Sequence, residues 1–178
     1  MIEILLFLVG IVVGAMNAVA GGGILLGFPV MIGLGVTPIV ANATSHIIVL
    51  PGLITSAYGY RKYLRKVPRS YALLLIPCSV GAVIGAWLLR HTSSSRFEEI
   101  APALVIFAVI LFAIQPFLHF HLHKHLHSKT RSAMTLIFIS LALLPVAIYG
   151  GYFGAGLGFI LLAFLGFTKI HDVHQMNA

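Results

Sequence analysis

The sequence predicts an all-α fold, a polytopic transmembrane helical bundle with broken or re-entrant helices at two glycine-rich repeats. Hydrophobic residues make up 60% of the chain and charged residues only 8%, whereas a water-soluble domain carries about a quarter charged residues. The apolar residues form several runs that reach the roughly 20 residues a membrane helix needs. Glycine clusters interrupt the first and last of these runs.

The basic residues lie in short segments beside the apolar runs and produce a net charge of +7. That placement is typical of residues that orient a membrane protein, so a lipid bilayer and not a nucleic acid is the expected partner. The single cysteine, Cys78, can form no disulfide within the chain. Sequence patterns of catalysis and of phosphate-binding loops are absent, so neither an enzyme nor a cofactor is predicted.

The first apolar run extends from Ile4 to about Gly35 and is longer than one crossing requires. Gly21, Gly22 and Gly23 interrupt it, and Pro29 follows. Glycine removes side-chain bulk and proline removes a backbone donor. We therefore expect a retained first helix, a break at the glycines, and a short second helix or re-entrant segment.

Three further runs follow, and two cationic segments separate them. The polar second run, Ile39 to about Tyr58, is predicted to pack inside the protein. The cationic segment Arg61–Arg69 precedes the third run, Tyr71–Leu89, whose small residues recur at helical spacing and permit close helix contact. The fourth run, Ile100–Leu118, is predicted to end at Pro116. Two crossings separate the cationic segments, so both are expected to be cytoplasmic.

The fifth run, Ala133–Phe167, repeats the anatomy of the first. An alignment that places Gly21 opposite Gly156 also places Gly23 opposite Gly158, as an internal duplication would. Chance similarity between glycine-rich segments is the alternative. The predicted organisation is a first transmembrane repeat at 1–118, a histidine-rich cytoplasmic loop at 119–131 and the start of a second, truncated repeat at 132–178. Parallel and inverted repeats both remain open.

The two glycine clusters are the candidate binding site. A helix beginning just after Gly23 presents unpaired N–H groups and the positive end of its dipole to a buried anion. The alternative is that the glycines only allow close packing, and that nearby polar residues only bond neighbouring helices. The predicted substrate-binding residues are Asn17, Gly21, Gly22, Gly23, Asn42, Thr44, Ser45, Gly154, Gly156, Gly158 and Asn177.

Other titratable residues narrow the substrate class. The acidic residues are Glu3, Glu98, Glu99 and Asp172, and none falls in the middle of an apolar run. Cation and metal transporters usually need buried carboxylates, so an anionic or neutral substrate is favoured. His46 is interpreted as a structural histidine in preference to a carrier of a coupled proton, and the sequence names no partner for it.

A run of alternating histidines supports a second hypothesis, a metal-handling membrane protein. Imidazole nitrogens at this spacing can bind zinc, copper or nickel, whether the segment is a strand or a helix. Drift in a low-complexity loop is the alternative. The candidate metal ligands are His119, His121, His123, His125 and His127.

The stretch from Gly14 to Ser45 resembles the opening of the TauE/SafE family of anion permeases, often called sulfite exporters. The family opens with a glycine-rich motif, a proline and an A-x-A-T-S segment, which appear here as Gly21–Gly23, Pro29 and Ala41–Ser45. The resemblance implies a multi-pass permease of the bacterial inner membrane for sulfite or a sulfonated organic anion. The histidine-rich loop and the missing end of the second repeat depart from the family. Assembly into a homo-oligomer stays open.

Overall fold

A computed structural model of the chain describes residues 2–65, 67, 69–125 and 133–165, and every regular element within these ranges is helical. The predicted all-α class is thereby confirmed. A 3₁₀ helix, Arg69–Leu74, leads into the fifth α-helix. The α-helices are α1 (Ile2–Ala20), α2 (Gly23–Gly33), α3 (Pro38–Gly59), α4 (Arg61–Leu64), α5 (Leu75–His91), α6 (Ser94–His125), α7 (Ala133–Tyr152) and α8 (Leu157–Leu165).

Glycine divides the first apolar run into α1 and α2, as predicted. We call Gly21–Gly22 the first break. Gly21 adopts a φ of +69°, a conformation that glycine enters without steric cost, and its N–H donates to the carbonyl oxygen of Asn17 at 2.9 Å. Gly22 then precedes α2 without a side-chain cap. Pro29 lies inside α2 and does not end it.

A second break, Phe153–Gly156, separates α7 from α8. The N–H of Gly154 donates to the carbonyl oxygen of Tyr149 at 3.1 Å, and Gly154 has a φ of +72°. Gly156 has a φ of +74°. Gly21 and Gly156, which the sequence alignment places opposite each other, therefore share the left-handed conformation.

Two helical stretches of the described chain, Pro38–Gly59 and Ala72–His91, are long and apolar enough to cross a membrane. Only 22% and 17% of their apolar windows are buried, whereas the core helix of a soluble protein is mostly buried. Large apolar side chains such as Phe7, Ile54 and Val83 are about 70% exposed. Such extensive exposed apolar surface marks contact with lipid or with further protein.

Helix α3 is less enclosed than its polar composition predicts. The buried residues Ala41, Asn42, Ser45 and Val49 follow helical spacing and form one face. The opposite face is exposed, so the described part of this run packs inside the protein along one face only. The polar residues of α3 need to be buried on one face only, because only that face meets the ends of other helices.

Helix α6 extends past Pro116 to His125, so the predicted end at Pro116 is wrong, and residues 119–125 of the predicted loop are helical. A proline removes only one backbone donor, and membrane helices tolerate it where local adjustment satisfies the freed carbonyl. Leucine, histidine and lysine then have ordinary helix propensities. The rest of the predicted loop, 126–131, lies outside the described residues.

Helices α5 and α7 pack with their backbones in close contact, as the small residues of the third run predict. A Cβ added to Gly81 would lie 2.6 Å from the Cβ of Ala147. One added to Gly85 would overlap the carbonyl oxygen of Ile148 and lie 2.7 Å from the backbone nitrogen of Tyr152. Small residues at membrane helix interfaces permit this approach, and dispersion contacts then hold the pair together.

Replacing Gly85 by alanine should separate these helices, because the new methyl group meets backbone that cannot move aside. We expect Gly85→Ala to lower the midpoint of thermal unfolding in detergent, with a cost of about 1–3 kcal/mol for overpacking. Gly14→Ala is the matched control, since Gly14 also lies inside a helix but a Cβ there meets nothing within 4 Å. Equal midpoints for the two variants would contradict the close α5–α7 contact.

Candidate functional site

The first break packs against the first turn of α8, where Gly158 continues the glycine cluster of the second break. A Cβ on Gly21 would overlap the Cα of Gly158 and lie 3.0 Å from its backbone nitrogen. A Cβ on Gly22 would lie 2.6 Å from Cε2 of the Phe159 ring. We call this contact of Gly21–Gly22 with Gly158–Phe159 the break crossing. Residues far apart in the chain thus bring the two glycine clusters of the sequence together.

Two helices begin at the break crossing. Helix α2 begins at Gly23, with no side-chain cap at Gly22, and α8 begins at Leu157. The first N–H groups of a helix have no partner within the helix, and together they carry the positive end of the helix dipole. At these two starts, the N–H groups of Leu25, Leu157 and Phe159 donate to the carbonyl oxygens of Gly22, Gly154 and Gly156. What the break crossing offers an anion is therefore mainly the positive ends of two helix dipoles.

Donors from α3 satisfy the carbonyl ends of the helices that stop at the breaks. The amide nitrogen of Asn42 donates to the carbonyl oxygen of Tyr152 at 2.9 Å, at the end of α7. The hydroxyl of Ser56 donates to the carbonyl oxygen of Ala18 at 3.1 Å, near the end of α1. These bonds offset the negative ends of two helix dipoles close to the break crossing.

Two further predicted polar residues, on α1 and α3, pack against α2. Asn17 is 8% exposed, and its Cβ lies 2.9 Å from the position that a Cβ of Gly23 would take. Ser45 is fully buried, donates to the carbonyl oxygen of Ala41 at 2.8 Å, and has its Oγ 3.9 Å from the position of a Cβ on Gly27. Both side chains therefore border the helix that starts at the first break.

Asn42 also presents an unpaired acceptor. Its side chain is fully buried, and Oδ1 is the buried side-chain polar atom that lacks a hydrogen-bond partner among the described residues. A buried acceptor without a partner costs roughly 1–3 kcal/mol. A bound molecule with an O–H or N–H group can recover that free energy.

The remaining predicted substrate residues divide into three groups. Gly154 and Gly156 belong to the second break, and a Cβ on Gly156 would lie 3.6 Å from the carbonyl oxygen of Ala108 on α6. Thr44 is half-buried and, two positions after Asn42, points from another face of α3. Asn177 lies outside the described residues.

The predicted metal ligands stay a prediction. His119, His121, His123 and His125 lie on α6, but their side chains are outside the described part of the structure, as is all of His127. Among the side chains that are described, no group of three histidine, cysteine or acidic residues is placed to hold a metal ion.

Sequence reasoning missed the aromatic residues that support the second break. The hydroxyl of Tyr149 donates to the carbonyl oxygen of Ala155 at 2.7 Å and so bridges the break. The ring of Phe153 is fully buried and meets the ring of Phe28 edge to face, with centroids 5.2 Å apart. The signal was present in the sequence, since Tyr149, Tyr152 and Phe153 stand among the glycines of the segment 149–154.

Membrane transporters are often built from broken helices whose ends meet inside the protein. The described part of this chain is helical, has exposed apolar helices and contains two such broken helices, so it has the construction of a membrane transporter. The chain belongs to the family described as sulfite exporter TauE/SafE, whose family model matches residues 6–178. It is therefore a member of a membrane transporter family, as the glycine motifs predict.

The curated relatives carry matching descriptions. A probable membrane transporter protein of Haemophilus influenzae is 24% identical over 92% of this chain and 64% of its own length. Probable membrane transporter protein ORF9 of a Sinorhizobium species is 27% identical over 92% and 63%. Probable membrane transporter protein YfcA of Escherichia coli is 30% identical over 90% and 58%. The chain thus spans 58% to 64% of the length of these relatives. No solved structure matches the chain.

Alanine at Gly21 tests the break crossing. Gly21→Ala should cost about 1–2 kcal/mol for the left-handed backbone and about 1–3 kcal/mol more for the overlap with Gly158. Gly35→Ala is the matched control, because Gly35 has a φ of +84° but open space around a Cβ. We expect thermal unfolding in detergent to show a clearly larger loss for Gly21→Ala. Losses of the same size would mean that the two breaks are not in contact.

Removal of the Asn42 side chain tests the capping of α7. Asn42→Ala removes the donor to the carbonyl oxygen of Tyr152, at a cost of about 1–3 kcal/mol. It also removes the unpaired Oδ1, which recovers part of that cost, so we expect a net loss of about 1 kcal/mol in thermal unfolding experiments. In the control Thr55→Ala, the lost hydroxyl is exposed and bonds only carbonyls of its own helix. The control should stay within about 0.5 kcal/mol of the parent protein. A parent-like Asn42→Ala would show that the α3–α7 bond does not stabilise the fold.

Proposed function

We propose that the chain forms part of a multi-pass permease of the bacterial inner membrane that moves small anions, with sulfite or an organosulfonate as substrate. Membership of the sulfite exporter family supports the transport class and the anion. The proposed permease is not an enzyme, since binding and helix movement suffice to move an anion across a bilayer.

The break crossing is the observation that carries this proposal. Gly21 contacts Gly158, so the starts of α2 and α8 lie close together. In the proposed site, the anion lies against these two first turns and is attracted by the positive ends of both dipoles.

The length of α2 supports a broken or re-entrant segment. Its 11 residues span about 16 Å at 1.5 Å per residue, which is about half of the roughly 30 Å hydrocarbon core. A helix of this length that starts at the first break can reach one membrane surface from the middle of the bilayer. The proposed site is then near the midplane, where transporters with broken helices hold their substrates.

The charges of the described residues agree with an anionic substrate. Glu98 and Glu99 are exposed near the start of α6. The polar α3 residues that meet the breaks, Asn42 and Ser56, are neutral donors to carbonyl oxygens. Because the carbonyl ends of α1 and α7 are bonded in this way, their negative dipole ends oppose the positive starts of α2 and α8 less strongly.

The proposed partners follow from the same surfaces. The exposed apolar faces of α3 and α5 would contact the lipid bilayer or other transmembrane segments, including those of a second protomer. The residues of the break crossing contact one another within a single chain, so the proposed site does not require a homo-oligomer.

Uptake of radiolabelled sulfite into proteoliposomes of the full-length protein tests the function, with a panel of organosulfonates measured in parallel. We expect uptake well above that of empty liposomes. Asn17→Asp places a carboxylate beside the start of α2, where it would occupy or repel the anion site. Uptake should then fall about tenfold, the effect of roughly 1.4 kcal/mol.

The control for that variant is Ser95→Asp, which adds the same charge at an exposed position in the first turn of α6. Its uptake should match the parent protein. Uptake no greater than in empty liposomes for sulfite and for every sulfonate would rule out the proposed substrates. Parent-like uptake by Asn17→Asp would place the anion elsewhere.

A further inference from the structure

His46 joins α3 to the end of α7 through both of its ring nitrogens. Nδ1 lies 2.9 Å from the carbonyl oxygen of Asn42, one turn earlier in α3. Nε2 lies 3.2 Å from the carbonyl oxygen of Gly150, two residues before the end of α7. The sequence offers no hint of the second contact, because the two residues are 104 positions apart.

Both partners of His46 are acceptors, and this restricts the charge state in which both contacts are hydrogen bonds. A backbone carbonyl oxygen only accepts, and a neutral imidazole has one N–H donor. The imidazolium form has two. In the neutral ring, one nitrogen would turn a lone pair toward the oxygen of Asn42 or of Gly150.

The end of α7 adds a second reason for a positive charge at this position. The last carbonyl groups of a helix lack donors within the helix and form the negative end of its dipole, which favours a cation. The N–H of Gly154 donates to the carbonyl oxygen of Tyr149 and not to that of Gly150. Nε2 of His46 is therefore in position to supply the donor that Gly150 lacks.

Gly154 provides the space for this contact. A Cβ on Gly154 would lie 2.6 Å from Nε2 of His46. Gly154, which follows the end of α7 with a left-handed φ, thus also leaves room for the imidazole ring. The histidine consequently touches the second break directly.

The titratable groups on the surrounding helices provide no fixed counter-charge in contact with the ring. The hydroxyl of Tyr149 donates to Ala155, and that of Tyr152 lies 3.2 Å from Oγ1 of Thr92. Helix α2 has no titratable residue, and α1 has only Glu3, in its first turn. The charged residues with described side chains on α4 and α6 are exposed, namely Arg61, Lys62, Arg96, Glu98 and Glu99.

We propose that His46 is the proton-binding site that couples proton movement to anion movement, an inference that rests on the proposed permease function. When a proton binds, the imidazolium donates to the carbonyl oxygens of Asn42 and Gly150 and links α3 to the end of α7. When the proton leaves, one of the two bonds is lost and the end of α7 is freed to shift relative to α3. Proton release and anion release then occur together.

Proton and anion fluxes measured together test the coupling. Proteoliposomes of the full-length protein would enclose a pH-sensitive dye and receive a gradient of radiolabelled sulfite. We expect the His46→Gln variant to retain sulfite uptake while the number of protons moved per sulfite falls. Glutamine keeps an N–H donor but does not titrate between about pH 5 and pH 8. Since the protonation of sulfite itself is the same in both samples, the difference between the two proteins isolates His46.

His91→Gln is the matched control, because His91 is exposed on α5 and bonds the carbonyl oxygen of Trp87, one turn earlier in the same helix. This control should keep the proton-to-sulfite ratio of the parent protein. An unchanged ratio in His46→Gln would overturn the proposal.

A second measurement does not depend on transport. Nitrogen NMR of histidine-labelled full-length protein in lipid nanodiscs, with the His46 signals assigned by their loss in His46→Gln or His46→Asn, reports the protons on each ring nitrogen. We expect both nitrogens to carry protons at the low-pH end of the measured range and only one to do so at the high-pH end. Such a titration supports the proton site even if sulfite proves not to be the substrate. Signals that stay unchanged across the range would overturn it.

Discussion

The contact between the first break and the first turn of α8 is the constraint on which the rest of the structure depends. Gly21 and Gly158 approach so closely that neither a side chain nor a shifted helix fits between them. That approach places the starts of α2 and α8 side by side and aligns the ends of α1 and α7 with α3. In an environment without water, each of these helix ends needs a partner from the protein or from a bound molecule.

Helix α3 supplies the partners for the carbonyl ends. Its side chains reach the last turn of α1 through Ser56 and the last turns of α7 through Asn42 and His46. The same helix therefore fixes both breaks, and a movement of α3 would act on both. In the proposed function, the positive starts of α2 and α8 attract an anion, so the bonds from α3 and the proposed binding are two parts of one arrangement.

Much of the candidate site was predictable from the sequence, because glycine clusters and polar residues in apolar runs are local signals. The end of α1, the start of α2 and the close approach of α5 to α7 follow from where the glycines lie. The predictions for α3 and for the end of α6 differ from the structure, because each applied a rule about single residues to a whole helix. Pro116 does not end α6, since one lost donor is too small a cost to stop a long helix, and α3 needs only one buried polar face.

The sequence by itself determined an apolar helical protein with two glycine-rich breaks, because composition and backbone freedom are properties of short segments. Only the tertiary structure decided that the breaks meet and that Asn42 and His46 bond to the end of a helix more than 100 residues away. Spacing along one helix shows which residues share a face but not which helix that face will meet. That choice depends on packing between distant segments.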